Sequence, residues 1–214
     1  MDCLNDRLSK KDLGAFYTPI AYAKKAAELV QKAVNRALDA GKENYIILDR
    51  CAGTGNLESA LIGLVDKNGN ELIGHSVVST YEYYEYKVLN ERIGDKVLDI
   101  IPPTEADVIY ENGKVSNADA MSEDFINNPI IKQYIDDENY AVILFENPPY
   151  RDAGASDSEN TKGFKNYVNT EMLKESLANK TVAYDLSNMF IWSGYKYYLR
   201  QDTDSYILFS PIKY

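Results

Sequence analysis

The strongest constraint on this chain is the run Tyr140-Ala141-Val142-Ile143-Leu144-Phe145. A strand with one wet face would alternate apolar and polar positions; this run does not. So short and continuous an apolar stretch reads as a strand covered on both faces, as in a parallel sheet flanked by helices. Three other segments read as strands: Tyr45-Ile46-Ile47-Leu48-Asp49, Ser76-Val77-Val78-Ser79-Thr80 and Ser205-Tyr206-Ile207-Leu208-Phe209.

Helical spacing fills the intervals. From Ile20 to Ala40, apolar residues recur at Ala26, Leu29, Val30, Ala33, Val34, Ala37 and Leu38, with Gly41 as the stop. Asn56 to Val65 predicts the next helix, with Leu57, Ala60, Leu61 and Leu64 on one face. Further helices are expected after Thr80 through about Arg92, from Glu123 to about Asp136 behind a Ser122 cap, and over 167–179 and 184–200. Pro102-Pro103 marks a loop, Asp107 to Tyr110 a short strand, and a third major strand is expected to end near Ser116. Strands alternating with helices predict an α/β fold built on a doubly wound, mostly parallel sheet. The 214 residues suit one such domain.

Composition excludes some functions. No apolar run approaches the roughly 20 residues of a membrane helix, and the N-terminus lacks the features of a signal peptide. Cys3 and Cys51 form no metal or redox spacing, His75 is a lone histidine, and a cytoplasmic protein without a metal site is expected. The net charge of −10 argues against unaided nucleic-acid binding, which relies on Lys and Arg at phosphates.

Open α/β sheets bind ligands beyond the carboxyl ends of their strands. At that edge the fourth strand carries Asn147-Pro148-Pro149-Tyr150. The tetrad offers an amide oxygen, a backbone carbonyl held rigid by the next proline, and an aromatic face. It suits a flat heterocycle bearing an amino group. Asp49-Arg50-Cys51-Ala52-Gly53-Thr54-Gly55-Asn56 joins the first strand to its helix. Its glycines allow a tight turn and close approach to a ligand. The third glycine of a dinucleotide fingerprint would fall at Glu58, which disfavours a nicotinamide cofactor. An acid at the end of the second strand would bind ribose hydroxyls; Glu82 is the first candidate and Glu85 the second. Asp119, in Asn117-Ala118-Asp119-Ala120, suits an adenine amino group. Plainer readings stand beside these: Asp49 as a loop cap, Glu82 on a solvated helix face, Asp119 as a helix cap.

Gly14-Ala15-Phe16-Tyr17-Thr18-Pro19 precedes the first helix. Asp185-Leu186-Ser187-Asn188-Met189-Phe190 and Phe209-Ser210-Pro211-Ile212-Lys213-Tyr214 follow the tetrad. With these segments in this order, nearly the whole chain resembles the gamma class of N6-adenine DNA methyltransferases of restriction–modification systems. The resemblance implies S-adenosylmethionine as cofactor and methyl transfer to the N6 amino group of an adenine flipped out of double-stranded DNA. It implies that Phe16, Tyr17, Thr18 and Pro19 contact the cofactor, together with Asp49, Ala52, Gly53, Gly55, Glu82 and Asp119. Asn147 and Pro148 would hold the target amino group, Pro149 would fix the Pro148 carbonyl, and Tyr150 would stack on the base. Arg151, Lys162 and Lys165, in the polar stretch 151–166, are candidates for phosphate contact.

The sequence departs from the family pattern at two places. Thr80 stands where the family has an acid at the second strand's end. Nothing remains after the fifth strand for the family's antiparallel hairpin or target-recognition domain, so both are expected outside this chain, in a further domain or subunit. Two other readings stay open. One is a cofactor-binding module that works only with a partner. The other is methylation of a protein glutamine, since the tetrad grips any planar amide; the Phe-Tyr-Thr-Pro segment favours DNA.

Overall fold

The computed structural model describes residues 18–103, 118–150, 165–175 and 180–210, without the side chains of 180 and 181. Among them are five strands: β1 (Asn44–Asp49), β2 (Ser76–Ser79), β3 (Asp99–Ile101), β4 (Tyr140–Glu146) and β5 (Ser205–Leu208). They form one sheet in the order β3-β2-β1-β4-β5, and every pairing is parallel. This is the expected doubly wound, Rossmann-like arrangement. The strand order reverses between β1 and β4, which is where such a sheet opens a crevice. These two strands run in register from Asn44 opposite Tyr140 to Leu48 opposite Leu144. Asp49 and Asn147 therefore leave the sheet at the same edge.

The continuous apolar runs are explained by cover on both faces. Ala141, Ile143 and Phe145 of β4 join one core with Tyr45 and Ile47 of β1. Val142 and Leu144 join a second core with Ile46 and Leu48. Successive residues point to opposite faces, so a strand buried on both sides has no polar position to spare. Helix α1 (Ile20–Asp39) covers the first face with Ala23, Ala27, Val30, Val34 and Ala37, all fully buried. Gly41, at φ 96°, ends it as expected.

Several expected elements differ. The helix predicted over Asn56–Val65 is one turn, α2 (Asn56–Ser59). Gly63 then takes φ 78°, and Val65 bridges Glu71 to close a hairpin. The Asp66 carboxylate sets that turn by accepting from Asn68 N at 2.8 Å and Asn70 N at 2.9 Å. Helix α3 (Tyr83–Ile93) follows β2 as expected. The third described strand is β3, ahead of Pro102, and does not end near Ser116. It is three residues long and half-buried at Asp99 and Ile100, too short to leave a periodic signal. Ser116 and the strand expected over Asp107–Tyr110 lie outside the described residues.

The helix predicted from Glu123 to Asp136 is two helices, α4 (Glu123–Ile126) and α5 (Pro129–Ile135). Pro129 has no N–H to continue a helix, and Asn128 caps the new one by accepting from Ile130 N at 2.9 Å. Ser122 caps α4 as expected, accepting from Phe125 N at 3.1 Å. The helix predicted over 167–179 is α6 (Tyr167–Lys174), and α7 (Lys180–Ala183) follows it. The last helical stretch, predicted over 184–200, is α8 (Leu186–Ser193) running into a π-helical turn over Gly194–Tyr198. Among the described residues no helix is long and apolar enough to cross a membrane.

Candidate functional site

A cavity of about 520 Å³ opens at the carboxyl edge, over the point where the strand order reverses. Its size is ordinary for a small-molecule site. Of the residues singled out in the sequence, Thr18, Asp49, Ala52, Gly53, Glu82, Glu85, Asp119, Asn147, Pro149 and Lys165 line it. Pro148 is buried beside Asn147, and Pro19 is exposed ahead of α1. Tyr150 is half-buried, and its hydroxyl donates to the Phe209 carbonyl just past β5. Phe16, Tyr17, Arg151 and Lys162 lie outside the described residues.

The loop after β1 is held by its backbone N–H groups. Ala52 N donates to Ser79 O at 2.8 Å, which ties the loop to the tip of β2. Cys51 N donates to Asp49 Oδ1 at 2.8 Å. Gly55 N donates to Ala52 O at 2.9 Å. Both glycines are left-handed, Gly53 at φ 56° and Gly55 at φ 80°. Only Gly53 faces the cavity. A Cβ on Gly55 would stand 2.9 Å from Leu89 Cδ1 and 3.1 Å from Ile93 Cδ1. Gly55 thus lets the loop pack on α3, a role distinct from ligand approach.

Carboxyl groups dominate the site. Asp49 is 1 % exposed, and apart from the carboxyl of Glu58 its Oδ2 meets no hydrogen-bond partner among the described residues. The carboxyl of Glu58, also 1 % exposed, faces it. Burial raises the pKa of Asp49 well above the ordinary range, and Glu58 and Glu146 raise it further. Burial likewise pushes Glu58 up to about 7, against the hydrogen bond from Asp49. The two carboxyls can share a proton at neutral pH, because two buried negative charges in contact repel.

Glu85 is the buried acid beside the glycine turn. Its Oε1 would lie 3.9 Å from a Cβ on Gly53, and it accepts from Thr80 Oγ1 at 2.7 Å. Burial raises its pKa, the Thr80 hydroxyl opposes that, and Glu82 adds to it. Thr80, at the tip of β2, thus presents an acid borrowed from α3. Glu82 is half-buried at the N-cap of that helix. Asp119 accepts from Met121 N at 3.0 Å, and burial raises its pKa. It braces a turn, while Ser122 is the residue that caps α4.

Asn147 Nδ2 donates to Thr18 Oγ1 at 2.9 Å. This bond joins the segment before α1 to the loop after β4, across the mouth of the cavity. Phe190 and Leu186 of α8 supply an apolar wall, together with Met121. Sequence reading gave no role to Arg50 or Glu146. Both side chains are completely buried, and they meet beneath the site.

No family model matches this sequence, and no curated protein matches it. Among solved structures, a cryo-EM structure of a DrdV–DNA complex is similar, with a TM-score of 0.51 and 19% sequence identity. The match covers 90% of this chain and 20% of that one. The likeness is one of fold.

Proposed function

We propose that this domain transfers a methyl group from S-adenosylmethionine to the N6 amino group of an adenine in DNA. The observation that carries the reading is the shared cavity: the glycine loop after β1 and the loop after β4, through Asn147 and Pro149, open onto the same space. The fold is shared with a protein solved on DNA, which supports the choice of substrate class.

The lining fits a cationic ligand. Asp49, Glu82, Glu85 and Asp119 bring four carboxyls to one cavity. Burial disfavours the charge on Asp49, Glu85 and Asp119, and a bound cation would offset that. The Asp49 Oδ2 would accept from the ammonium group of the cofactor. Glu82 and Glu85 would accept from ribose hydroxyls, and Asp119 from an adenine amino group. When bound, the cofactor supplies an electrophilic sulfonium methyl.

The chain's own residues then activate the acceptor. The Asn147 side-chain oxygen and the Pro148 carbonyl accept hydrogen bonds from the two N–H groups of the target nitrogen. This favours a pyramidal nitrogen, whose lone pair is less delocalised into the ring. The same fixed dipoles stabilise positive charge as it develops there. Held reactants need no further encounter, which removes much of the entropic barrier. The ring of Tyr150 replaces stacking lost by a flipped base, worth roughly 1–3 kcal/mol. With a net charge of −10, the chain draws its phosphate contacts from Lys165 at the cavity rim and from a basic partner or domain.

Calorimetry with S-adenosylmethionine and methyl labelling of DNA test this. Binding is expected, with Asp49→Ala weakening it at least tenfold. Asn147→Ala should bind cofactor normally and transfer no label to DNA. Folded wild-type protein that binds no cofactor refutes the proposal. Label found in protein and none in DNA would instead favour glutamine methylation.

A further inference from the structure

Arg50 follows Asp49 at the tip of β1, and Glu146 precedes Asn147 at the tip of β4. The guanidinium forks onto the carboxylate, Nε to Oε1 at 2.5 Å and Nη2 to Oε2 at 2.8 Å. Two further N–H groups of the guanidinium are also used. Nη1 donates to Ser193 Oγ at 2.8 Å, and Nη2 to the Phe190 carbonyl at 2.9 Å. Glu146 accepts in addition from Tyr206 Oη at 2.7 Å and from Arg50 N at 3.3 Å. The rings of Phe190 and Tyr198 lie 5.0 and 4.6 Å from the guanidinium carbon.

A pair this buried is a poor device for stability alone. Removing two charges from water is costly, and an apolar pair of similar volume is often as stable or more so. What an apolar pair lacks is geometry. A bidentate fork fixes both the separation and the rotation of the two groups it joins. Here it joins the residue beside Asp49 to the residue beside Asn147, and it also holds the backbone of Phe190 in the cavity wall.

We infer that Arg50 and Glu146 are positioning residues that set the distance between the cofactor loop and the acceptor loop. The inference rests on the methyl-transfer reading above. Arg50 borders the cavity, but its side chain and that of Glu146 are completely buried and engage each other, Ser193, Phe190 and Tyr206. They act through the neighbours at 49 and 147, where a displacement of about 1 Å is enough to cost roughly 100-fold in rate.

The test compares wild type with Arg50→Met/Glu146→Leu, which removes the fork without leaving an unpaired charge. S-adenosylhomocysteine serves as the ligand probe. The double variant should fold and should bind the probe within about threefold of wild type. In wild type, the probe should protect the peptide ending at Tyr150 from hydrogen exchange; in the variant, that protection should be lost. Methyl transfer to DNA should fall about 100-fold in kcat, with KM little changed. A folded, probe-binding variant with wild-type protection and wild-type kcat overturns the inference and leaves a structural role only. Arg50→Lys, which keeps the charge and loses the fork, carries the same expectations should the double variant not fold. Wild-type protein that binds no probe overturns the methyl-transfer reading itself, and the pair's role with it.

Discussion

Replacing Gly55 by alanine should destabilise the protein far more than the same change at Gly53, although only Thr54 separates the two in one loop. Both are left-handed, at φ 80° and 56°, so each alanine incurs about 1–2 kcal/mol of backbone strain. The surroundings then separate them. The new methyl at position 55 would sit 2.9 Å from Leu89 Cδ1 and 3.1 Å from Ile93 Cδ1. Those side chains are 0 % and 1 % exposed, so neither can swing into solvent. Overpacking of this kind adds about 1–3 kcal/mol, which brings Gly55→Ala to roughly 2–5 kcal/mol. At position 53 the nearest neighbour, Glu85 Oε1, is 3.9 Å away, an ordinary contact, and only the strain remains. Urea unfolding at fixed pH measures both, with equal m-values as the check that the same transition is followed. Equal midpoints for the two variants would refute the reasoning, since they would mean that the loop does not pack on α3 as described.

Two further outcomes follow from the site. Glu58 has a folded pKa of about 7 against an ordinary 4.5, and that of Asp49 is also raised. The stability that Glu58 contributes is therefore complete below about pH 4.5 and is lost as pH rises through about 7, and the raised Asp49 acts in the same direction. Glu58→Gln should flatten that fall, and urea midpoints between those limits that keep the wild-type slope would count against a shared proton. Thr18→Val removes the acceptor for Asn147 Nδ2 and should lower methyl transfer about tenfold, while Thr18→Ser restores it. Melting temperature should hold, and an unchanged labelling rate would show that the bond does not orient the amide.

The sequence was legible where signals are long or contiguous. Helix α1 carries five turns of apolar spacing, and β4 is an unbroken apolar run, so both matched expectation closely. Strand β3, with three residues, has no room for a period. The break between α4 and α5 was written in Asn128-Pro129, a cap followed by a residue that cannot donate, but the apolar spacing on either side masked it. The tetrad and the glycine loop are each contiguous and could be read directly. The salt bridge beneath them joins positions 96 residues apart, and its partners become neighbours only once β1 lies against β4. Glu85 reaches the cavity because α3 turns it inward under Thr80, a matter of helix phase that strand endings alone do not reveal.

The central pairing also sets a timetable for synthesis. β1 occupies the middle of the sheet, yet its partner β4 emerges 96 residues later. At about 5–20 residues per second, the ribosome holds Tyr45 to Leu48 without that partner for roughly 5–20 s. During that interval α1 can shield one side of the strand at once, whereas the cover for the other side, from α4 and α5, emerges only towards its end. Such a delay makes the emerging half of this domain a natural client for chaperones, and it ties the speed of folding to the pairing that also assembles the crevice.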